Sequence, residues 1–212
     1  CLTMVSRLRC FIGGILFCFF TSSFALHATE NDDLVKAMME VYAEELAANP
    51  QDYRTYYSRA MAYFGQGDMK KALSDIDNAI KYFPRKEKDD LAQAYLLRAK
   101  ILSERGEAKS ALTDLNSALR LVPNHRLALK DRGDLLCRLG QYDMAKIDYN
   151  HLLRMDTRSQ SAFMGLARVE AHTGQPVRAK DLLAQAVNLS PKDPKIYLER
   201  SEIYKEMDMM PE

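Results

Sequence analysis

The chain has 212 residues, 47% of them hydrophobic and 28% charged, and its formal net charge at pH 7 is +1. A chain of this length can bury a substantial core. The near-neutral balance of 30 Lys and Arg against 29 Asp and Glu excludes the strong overall attraction that draws basic proteins to nucleic acids or anionic membranes.

The first 25 residues differ from the rest of the chain. Two arginines precede an uncharged apolar run at residues 10–20, and the small residues Ser23 and Ala25 follow it. This order is typical of a secretory signal peptide. We therefore predict export to the periplasm or another extracytoplasmic space, with cleavage after Ala25. The alternative is that residues 10–26 are retained as a membrane anchor, although a span normally needs about 20 apolar residues.

Residues 26–52 are predicted to hold a solitary capping helix. Between residues 32 and 48, apolar side chains recur every four residues, which places them on one helical face: Leu34, Met38, Tyr42 and Leu46. Asn31 or Asp32 can cap the start of this helix, and Asn49-Pro50 ends it.

Four stretches after residue 53 repeat one pattern. Each has an aromatic residue or Leu, a small residue four positions on, a Gly seven positions further on, and an Ala five positions after that. The glycines are Gly67, Gly106, Gly140 and Gly174. The last three are 34 residues apart and the first two 39, which indicates an insertion of five residues near 87–91, in a charged loop.

The pattern predicts paired helices. Gly permits the φ > 0 turn between two helices, and Pro84, Pro123 and Pro191 end the second helix of three units, whereas the third unit has Thr157. The predicted units are 53–86, 92–125, 126–159 and 160–193. Residues 194–212 begin the pattern again, as a C-terminal capping helix or an incomplete fifth repeat.

A period of 34 residues with this spacing resembles the tetratricopeptide repeat (TPR) family. The resemblance implies an all-α fold, a right-handed superhelical solenoid of antiparallel helix pairs. The chain departs from the family pattern at Leu152, which replaces a second Ala, at Thr157, and in having no Trp.

Charged residues recur inside the repeats. Three arginines precede the small residue, and an aspartate follows each of them sixteen positions later: Arg59 and Asp75, Arg98 and Asp114, Arg132 and Asp148. In the fourth unit Leu166 and Leu182 replace both members. The joint loss predicts three Arg–Asp contacts between paired helices, because a partly buried charge needs its partner. The alternative is common ancestry of the first three repeats without contact.

The sequence contains no signature of a catalytic site. P-loop, dinucleotide-binding, H-E-x-x-H and C-x-x-C motifs are absent, and His125, His151 and His172 are not one helical turn apart. The sequence therefore predicts a protein that is not an enzyme and that uses no cofactor and no metal.

In the TPR family, the first helix of each unit lines a concave groove that binds a partner. The resemblance places these side chains in the groove: Arg54, Tyr57, Met61, Phe64, Gln93, Leu96, Lys100, Leu127, Lys130, Asp134, Met164 and Arg168. The clamp of Lys, Asn and Arg with which some family members hold a terminal carboxylate is missing, since Tyr57, Met61 and Asp131 stand in its place.

Four of these side chains form an apolar end of the groove: Tyr57, Met61, Phe64 and Leu96. Such a surface suits an amphipathic helix or an extended segment with two or three apolar anchors. The alternative is that residues 32–48 of the same chain cover this apolar end.

These features predict an exported, non-catalytic adaptor for a protein or peptide partner, within an envelope or secretion assembly. No nucleic acid is expected, and a membrane is reached only through an uncleaved leader or through the partner. The alternatives are a membrane-tethered TPR scaffold and a soluble holdase-type chaperone for exported subunits.

Overall fold

The computed structural model describes residues 26–208, with side chains from residue 34 to residue 207. The chain divides into two compact units, Cys1–Val41 and Tyr42–Glu212, and the description below concerns the second. The predicted signal peptide, residues 1–25, lies outside the described residues.

Ten α-helices and no strand occur within residues 26–208. They are α1 (Leu26–Ala48), α2 (Tyr53–Gly65), α3 (Met69–Tyr82), α4 (Lys88–Glu104), α5 (Ala108–Leu121), α6 (Arg126–Arg138), α7 (Tyr142–Met155), α8 (Gln160–His172), α9 (Pro176–Leu189) and α10 (Pro194–Asp208).

From α2 onward the helices pack as consecutive pairs. Helices α2 and α3, α4 and α5, α6 and α7, and α8 and α9 form the four units, each pair packs on the next, and α10 packs on α8 and α9. Short turns make the two helices of a pair antiparallel neighbours. The predicted all-α array of helix pairs is confirmed.

The turns within the pairs follow from their glycines. Gly67, Gly106, Gly140 and Gly174 have φ between 71° and 79°, a backbone region in which a side chain is strained. In the first unit Asp68 then caps α3, because its side chain accepts a hydrogen bond from the amide of Lys71.

The apolar side chains form three successive cores along the array. The first joins α2 and α3 to α4, the second continues through α4–α8, and the third joins α8 and α9 to α10. Small residues are buried where helices approach closely, and Tyr42 and Leu46 of α1 are also buried. Each unit thus depends on its neighbours for burial, as in other solenoids.

Two details of the prediction are wrong. The insertion near 87–91 lengthens a helix and not a loop: α4 begins at Lys88 and has 17 residues, where the first helices of the other three units have 13. Asp89 and Asp90 lie in its first turn, where negative charge complements the helix dipole. Helix α1 begins at Leu26, so Asn31 and Asp32 lie inside it and do not cap it.

Candidate functional site

The candidate site is built on helix pairs held together by ion pairs. Arg59, Arg98 and Arg132 on α2, α4 and α6 each hold both carboxylate oxygens of an aspartate on the second helix, at 2.6–2.8 Å. The partners are Asp75, Asp114 and Asp148, which are at most 4% exposed. Two-pronged contacts of this kind fix geometry as well as charge.

Two of these arginines also tie neighbouring units together. Arg98 Nη1 donates to Asp77 of the preceding unit at 2.7 Å, and Arg132 Nη1 donates to Asn116 at 2.8 Å. The hydrogen bonds to Asp114 raise the pKa of Arg98, although burial opposes them. In the fourth unit Leu166 lies in an apolar core against which Leu182 packs, so an apolar pair takes the place of the ion pair.

The first helices of the units line one cleft. Its volume is about 750 Å³. All five first helices contribute to its wall, through Phe64 of α2, Lys100 of α4, Asp134 of α6, Arg168 of α8 and Glu206 of α10. The cleft is therefore a feature of the whole array and not of one unit.

Two smaller clefts include other predicted groove residues. One of about 520 Å³ shares Asp134 and Arg168 with the central cleft and adds Lys130 and Met164. Another, of about 170 Å³, includes three further predicted residues, Arg54, Tyr57 and Gln93, whereas Met61 lines none of the three clefts. Nine of the twelve groove residues predicted from the sequence thus line one of the three clefts.

The predicted apolar end is smaller than expected. Met61 is 48% exposed, and Tyr57 and Phe64 are half-buried, but Leu96 is only 3% exposed and belongs to the core between the second and third units. Met164 is likewise 3% exposed. Neighbouring helices bury both side chains, so the exposed apolar stripe consists of Tyr57, Met61 and Phe64. Leu127, 50% exposed, lies outside the three clefts.

A buried tyrosine organises the middle of the central cleft. Tyr149 of α7 fills the space beside Gly133 and Gly165, and its hydroxyl donates a 2.6 Å hydrogen bond to Asp134. Burial raises the pKa of Tyr149 strongly, and the neighbouring Asp134 raises it further. The second oxygen of Asp134 accepts from Lys130 at 2.7 Å.

Asp131 lines the same cleft and has a buried oxygen without a hydrogen bond. Its Oδ2 atom is buried and accepts no hydrogen bond from any described side chain, since Lys100 Nζ lies 3.8 Å away. Burial raises the pKa of Asp131, and Lys100 and Lys130 only partly offset that effect. This carboxylate stands where the family's clamp has an Arg, so the cleft presents an acceptor at that position.

Side chains at the far end of the cleft connect α8 with α10. Glu206 lies 3.2 Å from His172 Nε2 and 3.4 Å from Arg168 Nε. The His172 ring stacks on Tyr142, with ring centroids 5.1 Å apart. Asp131, Tyr142, His172 and Glu206 were not among the predicted groove residues.

One signal for the tyrosine was present in the sequence. Where the other units have Ile or Leu, the third unit has Tyr149, and where they have Ala it has Gly133. A larger side chain on one helix is thus matched by a smaller residue on the helix that it contacts. No comparable sequence pattern predicts the contacts of Glu206 with Arg168 and His172, because these contacts depend on how α10 packs on α8.

The arrangement offers hydrogen-bond donors, acceptors and apolar side chains along an open cleft. Among the described side chains, no three His, Cys, Asp or Glu residues lie close enough together to hold a metal ion. Within residues 26–208, no helix combines the length and the apolar composition needed to cross a membrane. The geometry of this surface is suited to binding an extended or helical segment.

The comparisons with known proteins agree with this geometry. The family model described as tetratricopeptide repeat matches residues 39–90, 57–126 and 130–194. The chain belongs to the tetratricopeptide repeat family. TPR proteins are in general non-catalytic scaffolds for protein–protein interaction, and this TPR protein has the fold of such an adaptor.

Solved TPR structures share the fold. A tetratricopeptide repeat protein from Parabacteroides merdae is 26% identical, with a TM-score of 0.73 over 85% of this chain and 69% of that one. MamA is 17% identical, with a TM-score of 0.68 over 84% and 99%. YrrB, a TPR protein with an unusual peptide-binding site, is 19% identical, with a TM-score of 0.67 over 83% and 88%. No curated protein matches the chain significantly.

Proposed function

We propose that this TPR protein is an exported adaptor whose concave cleft binds a segment of a partner protein, within an envelope or secretion assembly. The observation that carries the proposal is the central cleft of about 750 Å³, to which every first helix from α2 to α10 contributes. A surface to which all the units contribute suits a segment that is several helical turns or several strand residues long.

The apolar stripe supplies the anchors for such a segment. Tyr57, Met61 and Phe64 lie at positions i, i+4 and i+7 of α2, on one helical face. Beyond Phe64 the cleft becomes charged, with Lys100, Asp131 and Arg168. The segment that fits has two or three apolar side chains at one end and polar side chains of both signs at the other. YrrB, which shares the fold, has a peptide-binding site, and this supports a peptide-like ligand.

Export rests on the sequence of residues 1–25, with its basic start, apolar run and small residues before the cleavage site. The mass of the protein isolated from cells tests it. We expect a chain that begins near Leu26. A mass that includes residues 10–20 would replace cleavage by membrane anchoring through the leader.

The binding surface is tested by affinity capture from intact envelopes, followed by mass spectrometry. Tyr57→Ala with Phe64→Ala should abolish capture of the partner, because truncating a buried anchor costs at least about 2 kcal/mol of affinity. Both side chains also pack on the first core, so circular dichroism must show that the variant is folded. Met61→Glu, at a 48% exposed position, places a charge in the same apolar stripe with little risk to folding.

The matched control is Met144→Ala with Ile147→Ala. These two apolar side chains are 54% and 63% exposed, and they lie on α7, the second helix of the third unit, and not on the stripe of α2. A folded stripe variant that still captures the partner, or a control that loses it, contradicts the proposal. Weak capture of many unfolded chains, unaffected by either change, identifies a holdase-type chaperone.

A further inference from the structure

The central cleft contains a charged residue at a position where the other units have none. Asp131 stands nine residues before Gly140, and the corresponding residues of the other units are Ser58, Leu97 and Gly165. In the second unit this position belongs to a packing contact, because Leu97 is buried in the first core. The carboxylate of the third unit is therefore an exception that the packing of the helices does not explain.

Neither oxygen of the Asp131 carboxylate accepts a hydrogen bond from the part of the chain that the structure describes. Oδ2 is buried, and Lys100 Nζ lies 3.8 Å from it. Oδ1 lies 4.0 Å from Lys130 Nζ, which donates instead to Asp134 at 2.7 Å. A buried charge is costly unless it is both paired and hydrogen-bonded, and the pairing of Asp131 is loose.

The Asp131 side chain is nevertheless open to the cleft. It lines the cleft and is 23% exposed, and because Oδ2 is buried, Oδ1 is the oxygen that a ligand can reach. Two other carboxylates of the cleft have close donors, since Asp134 already accepts two hydrogen bonds and Glu206 lies 3.4 Å from Arg168 Nε. Asp131, unlike these two, has no close donor within the described chain.

The stability of the protein does not account for this carboxylate. Burial raises the pKa of Asp131, and Lys100 and Lys130 offset only part of that effect, so the charged form is less favourable in the folded protein than in water. Groups that cost stability are retained where binding needs them. A bound cationic group that donates to Oδ1 supplies both the missing hydrogen bond and the missing charge compensation.

We propose that Asp131 selects partner segments that carry an Arg or Lys in addition to their apolar residues, and that this basic side chain donates to Oδ1. This selectivity rests on the proposed binding of a partner segment in the central cleft, and it assigns that segment a positive charge at one place. The apolar stripe of α2 holds the apolar side chains of the segment, and Asp131 on α6 holds the basic one. Both helices line the central cleft.

The probe is a phage-displayed library of random peptides, each about 12 residues long, selected on the immobilised protein. The wild-type protein should enrich peptides with apolar residues. At a constant spacing from these residues, Arg or Lys should be enriched about tenfold over its frequency in the library, as expected for a charge-assisted contact. Asp131→Asn should still enrich the apolar residues but should lose the preference for the basic one.

The most enriched peptide then serves in a double-mutant cycle, with its affinity measured by fluorescence anisotropy. Asp131→Asn in the protein and Gln in place of the basic residue of the peptide should each weaken binding about tenfold, and both together should cost little more than either one. Asp131→Asn removes a burial cost, so urea denaturation should show a variant at least as stable as the wild type. Asp181→Asn, at an exposed position of α9, is the matched control and should leave selection and affinity unchanged.

The possible outcomes distinguish the role of Asp131 from the binding of a segment as such. Apolar residues enriched without a basic one, or a basic preference that Asp131→Asn retains, would overturn the role of Asp131 and leave the binding cleft intact. Additive losses in the cycle would overturn it as well, because the two side chains would then not meet. If the wild-type protein enriches no peptide, or if Met61→Glu leaves the selection of apolar residues unchanged, binding in the cleft fails and the role of Asp131 fails with it.

Discussion

At the scale of single residues, an arginine–aspartate pair joins the two helices in each of the first three units. Their aspartates are at most 4% exposed, whereas the arginines remain 21–25% exposed. Breaking such a pair on one side leaves a buried charge without compensation, while an apolar pair of suitable shape is tolerated. Leu166 and Leu182 in the fourth unit are an instance of that replacement within the same chain.

Arg98→Leu alone is therefore expected to lower the free energy of unfolding by roughly 1–4 kcal/mol, because Asp114 stays buried without its partner. Arg98→Leu with Asp114→Leu should recover much of that loss. Urea denaturation of the four members of this double-mutant cycle measures the coupling. Strictly additive losses would show that the contact between the two side chains contributes nothing.

Asp131 gives the cleft a dependence on pH. Burial raises its pKa in the folded protein above the ordinary value of 3.8. Between the two pKa values the folded state binds more protons than the unfolded state, so this group's contribution to stability falls as pH rises through that window and stays low above it. Asp131→Asn should accordingly raise the unfolding temperature at pH 7, and its advantage should vanish below about pH 3.8.

Thermal unfolding of both proteins from pH 3 to pH 8 checks this difference. Asp181→Asn, at an exposed position of α9, is the control and should show little change. A lower unfolding temperature for Asp131→Asn at pH 7 would mean that Lys100 and Lys130 stabilise the carboxylate more than burial penalises it.

At the scale of helices, α7 packs unusually closely between α6 and α8. A Cβ atom at Gly133 would lie 2.8 Å from the Tyr149 ring, and one at Gly165 would lie 2.2 Å from it. Tyr149 is fully buried and cannot swing aside. The two glycines therefore leave the room that lets the Tyr149 hydroxyl reach Asp134 in the cleft.

Gly165→Ala is expected to destabilise the protein by about 1–3 kcal/mol through overpacking. In a Tyr149→Leu background the same change should be much less costly. Gly65→Ala at the end of α2, where an added Cβ meets nothing within 4 Å, is the control and should be neutral or slightly stabilising. A Gly165→Ala protein as stable as the wild type in urea denaturation would show that the helices can move apart.

Much of this helix array is predictable from local sequence. The turn glycines predicted the pair boundaries, because few other residues adopt positive φ, and the exchange of Arg and Asp for two Leu predicted a contact that the structure contains. The insertion near 87–91 was wrongly assigned to a loop, because a charged run is compatible with both a loop and the first turn of a helix. Asp89 and Asp90 favour the helix through its dipole.

The candidate site is less predictable than the fold. The helical register predicts that Leu96 and Met164 face the groove, but it does not show that neighbouring helices bury both side chains. Glu206 joins Arg168 and His172 only through the packing of α10 on α8. Such contacts depend on tertiary distances that a single sequence does not encode locally.

At the scale of the whole molecule, stacking of units produces the central cleft. Each unit buries its apolar side chains against its neighbours, so the first helices line up along one face and their exposed side chains become a cleft. The proposed adaptor therefore has a cleft for a partner segment that depends on the stacking of all its units.

The location of the partner segment is the central claim, and site-specific photo-crosslinking in cells measures it most directly. A photoreactive residue in place of Met61 should crosslink to one partner, and peptide mapping should place the crosslink in a segment with apolar anchors. The same residue in place of Ile147, which is 63% exposed on α7, should give no crosslink to that partner. Crosslinking from position 147 but not from position 61 would contradict the account, because the partner would then bind away from the apolar stripe of α2.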